Sequence, residues 1–260
     1  MTIRTSPSDR LTIVTTLRAA GCVFAEEEAT LLVEAAGSPA ELASMVARRA
    51  AGDPLEHVVG WAGFHGLRVA VEPGVFVPRR RTEFLVDQAI ALTRPGAVVL
   101  DLCCGSGAVG AAVRAAVGGI ELHAVDLDPA AVRSARRNLP GAQVHQGDLY
   151  QPLPVELRGR VDVLLVIAPY VPTGSIALMP PEARDHEPLA ALDGGADGLE
   201  VLRRVVADAR RWLAPGGHLL TELGDDQVPA ALAACTRHHL VARVTTPADE
   251  SATVLIAHPG

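Results

Sequence analysis

The sequence predicts an α/β protein in which a seven-stranded, mainly parallel sheet with an antiparallel last strand carries helices on both faces. A small helical domain and a β-hairpin linker precede it. Three observations predict this. Short apolar runs without polar alternation recur from residue 97 onward, the pattern of strands buried on both faces. Segments of helical period separate those runs, as in a sheet covered by crossover helices. The first fifty residues carry helix signals alone, and a glycine-broken alternating stretch follows them.

Taken in order, helical segments are expected at about 8–20 and 25–36. A third starts at Ser38-Pro39-Ala40-Glu41, which offers an N-cap, a proline in the first turn and a glutamate to close a capping box. Gly52 and Pro54 punctuate its far end. Residues 56–77, with HVVGWAGFHGLRVAVEPGVFV, read as the hairpin. A helix near 82–93 leads to a strand at 97–101, a helix at 108–117, a strand at 121–126, a helix at 129–138 and a strand near 142–145. Then come a strand at 161–168, a long helix at about 198–213, a strand at 218–223 and two late strands near 239–245 and 252–257, joined through TPADES as an antiparallel hairpin. The expected division is 1–54 for the helical domain, 55–78 for the linker and 79–260 for the α/β domain.

Composition narrows the function. A chain of 260 residues with 49% hydrophobic and 20% charged residues is long and apolar enough for a substantial core. A formal charge of −7 repels phosphate backbones, so no nucleic-acid partner is expected, although Arg79-Arg80-Arg81 can bind a local anion. The four cysteines, at 22, 103, 104 and 235, show neither a CxxC pair nor a zinc or disulfide spacing, which suits reduced thiols and no metal. MTIRTSPSDR lacks the apolar core of a leader, and no apolar run approaches the ~18 residues of a membrane span. A cytoplasmic protein without a membrane partner is expected, and its oligomeric state is left open.

Ligands of such sheets bind beyond the carboxyl ends of the strands. The first strand ends in Asp101-Leu102-Cys103-Cys104-Gly105-Ser106-Gly107-Ala108, where Gly105 and Gly107 let a ligand approach the backbone and the chain turn into a helix. With Gly110 this also matches GxGxxG, so a dinucleotide competes with other nucleoside ligands, and an isolated glycine pair is more often a packing turn. The next strand ends at Asp126, placed to accept hydrogen bonds from ribose hydroxyls, because Asp128 before Pro129 fills the helix N-cap. The third ends in Gln146-Gly147-Asp148-Leu149, whose carboxylate suits an adenine amino group. The fourth runs into Ile167-Ala168-Pro169-Tyr170.

Three nucleoside-type loops followed by a proline-tyrosine loop resemble the class I S-adenosylmethionine-dependent methyltransferases, with their Rossmann-like sheet. VLDLCCGSGAVG, AVDLDPAAV, APYVP and HEPLAALDGGADGL, together with GDPLEHVVGWAGFHGLRVAVEPGVFVPRRRTEFLV, are similar in order to the landmarks of the protein-(glutamine-N5) methyltransferases that modify release factors. The resemblance implies S-adenosylmethionine as cofactor, with Asp101, Cys103, Gly105, Gly107, Asp126, Leu127, Asp148, Leu149 and Ile167 around it. It implies Ala168, Pro169 and Tyr170 as the catalytic segment, and it makes 79–260 the catalytic domain.

The chain departs from the family's Asn-Pro-Pro-Tyr at Ile167-Ala168 and from arginine-proline-glutamate-threonine-glutamate at Arg79-Arg80-Arg81-Thr82-Glu83. In the family the asparagine amide and a neighbouring carbonyl hold the acceptor NH2. Isoleucine holds nothing, and a lost buried polar partner costs about 1–3 kcal/mol. Tyr170 remains to stack on a planar acceptor or to offer its hydroxyl. The segment VPTGSIALMPPEARDHEPLAALDGGADG is long enough for a lid, and its Glu182, Asp185 and Glu187, with Phe76 and Tyr170, are the expected acceptor contacts; His186 is a further proton-accepting candidate. The expected activity is N-methylation of a small-molecule planar nitrogen such as the guanidinium of arginine. A release-factor glutamine and a cofactor-binding protein without methyl transfer are the alternatives.

Overall fold

The computed structural model describes residues 6–249 and 251–260. The first five residues of the stretch read as lacking a leader, and Glu250 in the connection between the late strands, lie outside the described residues.

The chain opens with helices α1 (Pro7–Ala19), α2 (Ala25–Ala35) and α3 (Pro39–Ala50). They bury Leu17, Leu32, Val33, Leu42 and Met45 in a cluster of their own, joined by Val58. Ser38 caps α3 by accepting from the Glu41 amide at 3.2 Å. The capping box is not closed as expected, because the Glu41 carboxylate reaches one residue further and accepts from Gly37 N at 2.8 Å.

Residues 55–59, expected within the hairpin stretch, form the short helix α4 (Leu55–Val59), which Gly60 ends in the left-handed conformation at φ +81°. The hairpin itself is β1 (Trp61–Phe64) with β2 (Leu67–Ala70). Asn138 ties the hairpin to the α/β part, accepting from Ala70 N at 2.9 Å and donating to the carbonyls of Ala70 and Ser106 at 2.8 and 2.9 Å.

The α/β part follows in alternation: α5 (Glu83–Leu92), β3 (Val98–Leu102), α6 (Ala108–Val117), β4 (Glu121–Asp126), α7 (Pro129–Asn138), β5 (Gln143–Gln146) and β6 (Val161–Val166). After β6 the long segment carries a 3-10 turn and the helices α8 (Pro181–His186) and α9 (Leu189–Leu192). It continues into α10 (Glu200–Trp212), β7 (Leu213–Leu223), α11 (Val228–Arg237), β8 (Leu240–Thr245) and β9 (Thr253–Pro259).

The seven strands run in the order β5-β4-β3-β6-β7-β9-β8. Six run in one direction, and only β9 is reversed, entering antiparallel between β7 and β8, as the late-hairpin reading requires. Two elements differ from expectation. β7 extends back to Leu213 through Pro215-Gly216-Gly217, where its register with β6 shifts between Val161 and Val163. Helix α11 was not expected from the sequence, although Pro229 in its first turn and its alanines suit a helix. The sheet's interior is aliphatic on both faces, with Leu100, Leu102, Leu164, Leu165, Leu219 and Leu220 fully buried.

A buried ion pair fastens the third helix. Arg49 donates to both carboxylate oxygens of Glu28 at 2.6 and 3.1 Å, bonds the Asp53 carbonyl at 3.1 Å and meets Glu182 of the segment after β6. Removing one partner of such a pair leaves a charge without water or counterion. Arg49→Met is therefore expected to lower stability by about 3 kcal/mol, read as a shift of the urea midpoint.

Candidate functional site

Strand order reverses between β3 and its neighbours β4 and β6, and there the carboxyl ends of the strands open into a cavity of about 510 Å³. That size suits a small-molecule site. Loops from β3, β4, β5 and β6 reach it, as do the segment after the hairpin and the long segment after β6.

Two carboxylates shape the loop after β3. Asp101, 1% exposed at the strand end, accepts from Gly110 N at 3.0 Å in the first turn of α6. Burial, with the Asp126 charge adding to it, pushes its carboxyl up to about 7. Asp126 accepts from Gly105 N at 2.8 Å and Asp128 N at 2.9 Å, and burial raises its carboxyl too. Gly105 takes φ +54°, and a Cβ there would meet open space, so its backbone is bare toward the cavity.

Gly107 differs from expectation. It does not line the cavity; at φ +77° its Cβ would come within 2.8 Å of Leu139 Cδ1, so it serves the turn and the packing of α7. Cys103 lines the wall with its thiol pushed upward, by burial first and then by the Asp126 and Asp101 charges. It is a neutral, unreactive wall.

Leu127, 61% exposed, Leu149 and Asp148 form the far side. Asp148 is less free than the sequence suggested: its Oδ2 accepts from Arg204 at 2.5 Å and Gln151 at 3.2 Å. Arg204, unexpected from the sequence, is itself a lining residue.

The opposite wall holds Ile167, Ala168, Pro169, Tyr170 and Phe76. Ile167 is half-buried and packs against the core beneath the sheet. The Tyr170 carbonyl is fixed by Gln227 Nε2 at 2.8 Å. Its hydroxyl donates to Glu222 Oε1 at 3.2 Å and accepts from Arg81. Glu222, buried at the end of β7, also accepts from Thr82 Oγ1 at 2.7 Å and Arg81 Nε at 2.8 Å. Sequence reasoning missed Glu222, yet the strand-end rule applied to residues 218–223 points to it.

The three lid carboxylates are not cavity contacts, and each has a physical reason. Glu187 is buried, accepts from Val77 N at 3.1 Å and pairs with Arg79 Nη2 at 2.5 Å. Glu182 pairs with Arg49. Asp185 is held by the neighbouring Arg184 at 2.7 and 3.0 Å. His186 stands 3.6 Å from Asp53, also outside the cavity. What the long segment presents to the cavity is apolar: Met179, Pro188, Ala190, Ala191 and Leu192.

The donor set fits S-adenosylmethionine. Gly105 offers bare backbone, Asp126 a carboxylate able to accept from ribose hydroxyls, Leu127 and Leu149 apolar surface for a base, and Asp101 with Asp126 acidic groups that favour a nearby cation when ionised. When bound, that cofactor supplies an electrophilic methyl group on a sulfonium. Among the described residues no cluster of ligating side chains is arranged for a metal, and no helix is long and apolar enough to cross a membrane.

Comparison with known proteins agrees with this geometry. Residues 99–179 match a family model described as a methyltransferase domain. The chain is 43% identical to a release factor glutamine methyltransferase of Streptomyces coelicolor over 70% of its length and 67% of the relative's. It is 38% identical to one of Geobacter sulfurreducens over 77% and 72%. It is 40% identical to a 4-amino-L-phenylalanine/4-methylamino-L-phenylalanine methyltransferase of Streptomyces pristinaespiralis over 74% and 69%. A methyltransferase structure from Pyrococcus furiosus shares the fold, with a TM-score of 0.57 at 18% identity over 75% of this chain and 90% of that one.

The glycine loop yields one test. Gly107→Ala, strained and in contact with Leu139, is expected to lose about 1–3 kcal/mol of stability by urea unfolding. Gly105→Ala meets no atom but is strained at φ +54°, so it is expected to lose about 1 kcal/mol of stability, less than Gly107→Ala, together with cofactor affinity measured by calorimetry. A second test concerns pH. Asp101's folded pKa lies above its unfolded value, so the folded chain holds the extra proton, and stability from this group is present at low pH and lost as pH rises from about 4 to about 7. Asp101→Asn is expected to flatten that fall in ligand-free melting curves across the same window.

Proposed function

The chain belongs to the family of the release factor glutamine methyltransferases, S-adenosylmethionine-dependent enzymes, and from that premise we propose that it methylates a planar nitrogen of a free small molecule. The observation that carries this reading is the wall around Tyr170. Ile167 stands where the family has an asparagine and has no hydrogen bond to give an amide, while the lid side chains facing the cavity are apolar.

A glutamine amide is a poor nucleophile whose lone pair is conjugated with its carbonyl, and orienting it needs donors and acceptors in a dry site. Ile167 removes one of them. An arylamine nitrogen keeps more of its lone pair and needs stacking and exclusion of water, which Tyr170, Pro169 and Phe76 are placed to give. The guanidinium of arginine has weaker support, because Glu182, Asp185 and Glu187 are already paired away from the cavity. The relative from Streptomyces pristinaespiralis, named for an amine-bearing phenylalanine, supports a small amine as acceptor.

In this reading the residues divide the work. The loop at Gly105 and the Asp126 carboxylate hold the cofactor, and Ala168 and Pro169, both buried, form a rigid floor beside the acceptor. Tyr170, fixed at its carbonyl by Gln227 and at its hydroxyl by Glu222 and Arg81, aligns the acceptor plane. An amine acceptor releases its proton to solvent after methylation.

The second reading, a release factor as acceptor, is favoured by the names of most similar relatives. Purified protein incubated with labelled S-adenosylmethionine and, separately, release factor, free arginine and 4-amino-L-phenylalanine separates the two. Label on the aryl amine is expected. Label on release factor with no turnover of any small molecule overturns the proposal. In the same assay Ile167→Asn is expected to raise methylation of release factor by roughly ten- to a hundredfold, the value of one restored buried hydrogen bond.

A further inference from the structure

Beside the main cavity lies a second one of about 180 Å³ at the ends of β7 and β9, and Arg81 and Tyr170 line both. The smaller cavity carries charges of both signs: the Arg81 guanidinium, and the carboxylates of Glu222 and Asp225. Arg81 is held in place and still accessible. Its Nε donates to Glu222 Oε1 at 2.8 Å and its Nη2 to the Tyr170 hydroxyl, while its side chain remains 48% exposed. A guanidinium has five N–H donors, and these contacts use two. Glu222 is only 3% exposed and already accepts from Thr82, Arg81 and Tyr170, so it fixes the plane of the guanidinium. Asp225 is exposed at the rim, with Oδ1 accepting from Thr253 Oγ1 at 2.5 Å. In the family's corresponding stretch this arginine is a glutamate, so the sign of the charge beside Tyr170 is reversed here.

A cation and an anion facing one small cavity match a zwitterion whose own charges sit one carbon apart. A phosphate dianion would be repelled by Glu222 and Asp225, and a glutamine inside a protein chain has no free α-carboxylate to offer. We propose that Arg81 is the specificity-determining residue that takes the α-carboxylate of a free amino acid acceptor, with its ammonium toward Asp225 and its distal planar nitrogen in the main cavity beside Tyr170. This inference rests on the small-molecule reading given above and narrows it to α-amino acids.

The test compares two acceptors with the same aryl amine, 4-amino-L-phenylalanine and 4-(2-aminoethyl)aniline, which lacks the carboxylate. The wild-type protein is expected to prefer the acid by roughly tenfold or more in kcat/KM, as one charge-assisted contact provides. Arg81→Met is expected to bring that ratio near one, mainly through KM, and Arg81→Lys to keep part of it. Calorimetric binding of S-adenosylhomocysteine reports whether each variant is folded, and R81K carries the test if R81M is not. A wild-type ratio near one, or a ratio that neither variant moves, overturns this inference alone. Methylation of release factor with neither amine turned over overturns the small-molecule reading together with it.

Discussion

The hydrogen bond from the Gly105 amide to the Asp126 carboxylate, at 2.8 Å, is the constraint on which the site depends. It joins the loop after β3 to the end of β4 and fixes where the bare backbone of Gly105 faces. Asp101 performs the matching task from below, accepting from Gly110 at the start of α6. Carboxylates withdrawn from water, fully at Asp101 and partly at Asp126, are costly unless they are hydrogen-bonded or face a cation. Both have amide partners, and both still have carboxyls raised by burial. In the proposed reading these carboxyls, when ionised, face the sulfonium of the cofactor, so a bound cation opposes the rise that burial causes.

The acceptor side is built on the opposite plan. The carboxylates of its long segment are consumed in pairs before they reach the cavity: Glu187 with Arg79 and the Val77 amide, Glu182 with Arg49, Asp185 with Arg184. The first two of these pairs hold the long segment against the stretch after the hairpin and the helical layer, and the third lies within the segment itself. The apolar faces of α9 and the neighbouring prolines are thereby turned inward. Arg81 is the departure from this plan, since Glu222 and Tyr170 orient its guanidinium and leave it open to solvent. In the proposed reading, this apolar wall beside the oriented Arg81 guanidinium suits an acceptor with an aromatic body and an anionic end.

Ile167 links the two halves. Its side chain packs on the core beneath the sheet, so it continues the apolar strand β6 to the edge of the cavity. At that edge isoleucine presents apolar surface to the cavity and no hydrogen-bonding group.

The sequence by itself determined the alternation of helices and strands apart from α4 and α11, the antiparallel placement of the last strand and the strand-end loops at Asp101, Asp126, Asp148 and Tyr170. These follow from apolar runs, glycines and caps, which are local signals. It also carried the family resemblance, because short motifs in a fixed order survive as text. Only the tertiary structure decided which charges are free. Glu182, Asp185 and Glu187 are indistinguishable in sequence from acceptor ligands; Asp185 pairs with its neighbour Arg184, but the partners of Glu182 and Glu187, Arg49 and Arg79, lie more than a hundred residues away. Glu222 and Arg81 meet through the same kind of long-range contact, across 141 positions. Gly107 and Gly105 look alike as letters, and only the fold puts Leu139 against one and leaves the other bare on the cavity wall. Electrostatic pairing and close packing are properties of what the fold brings near, so no local pattern records them.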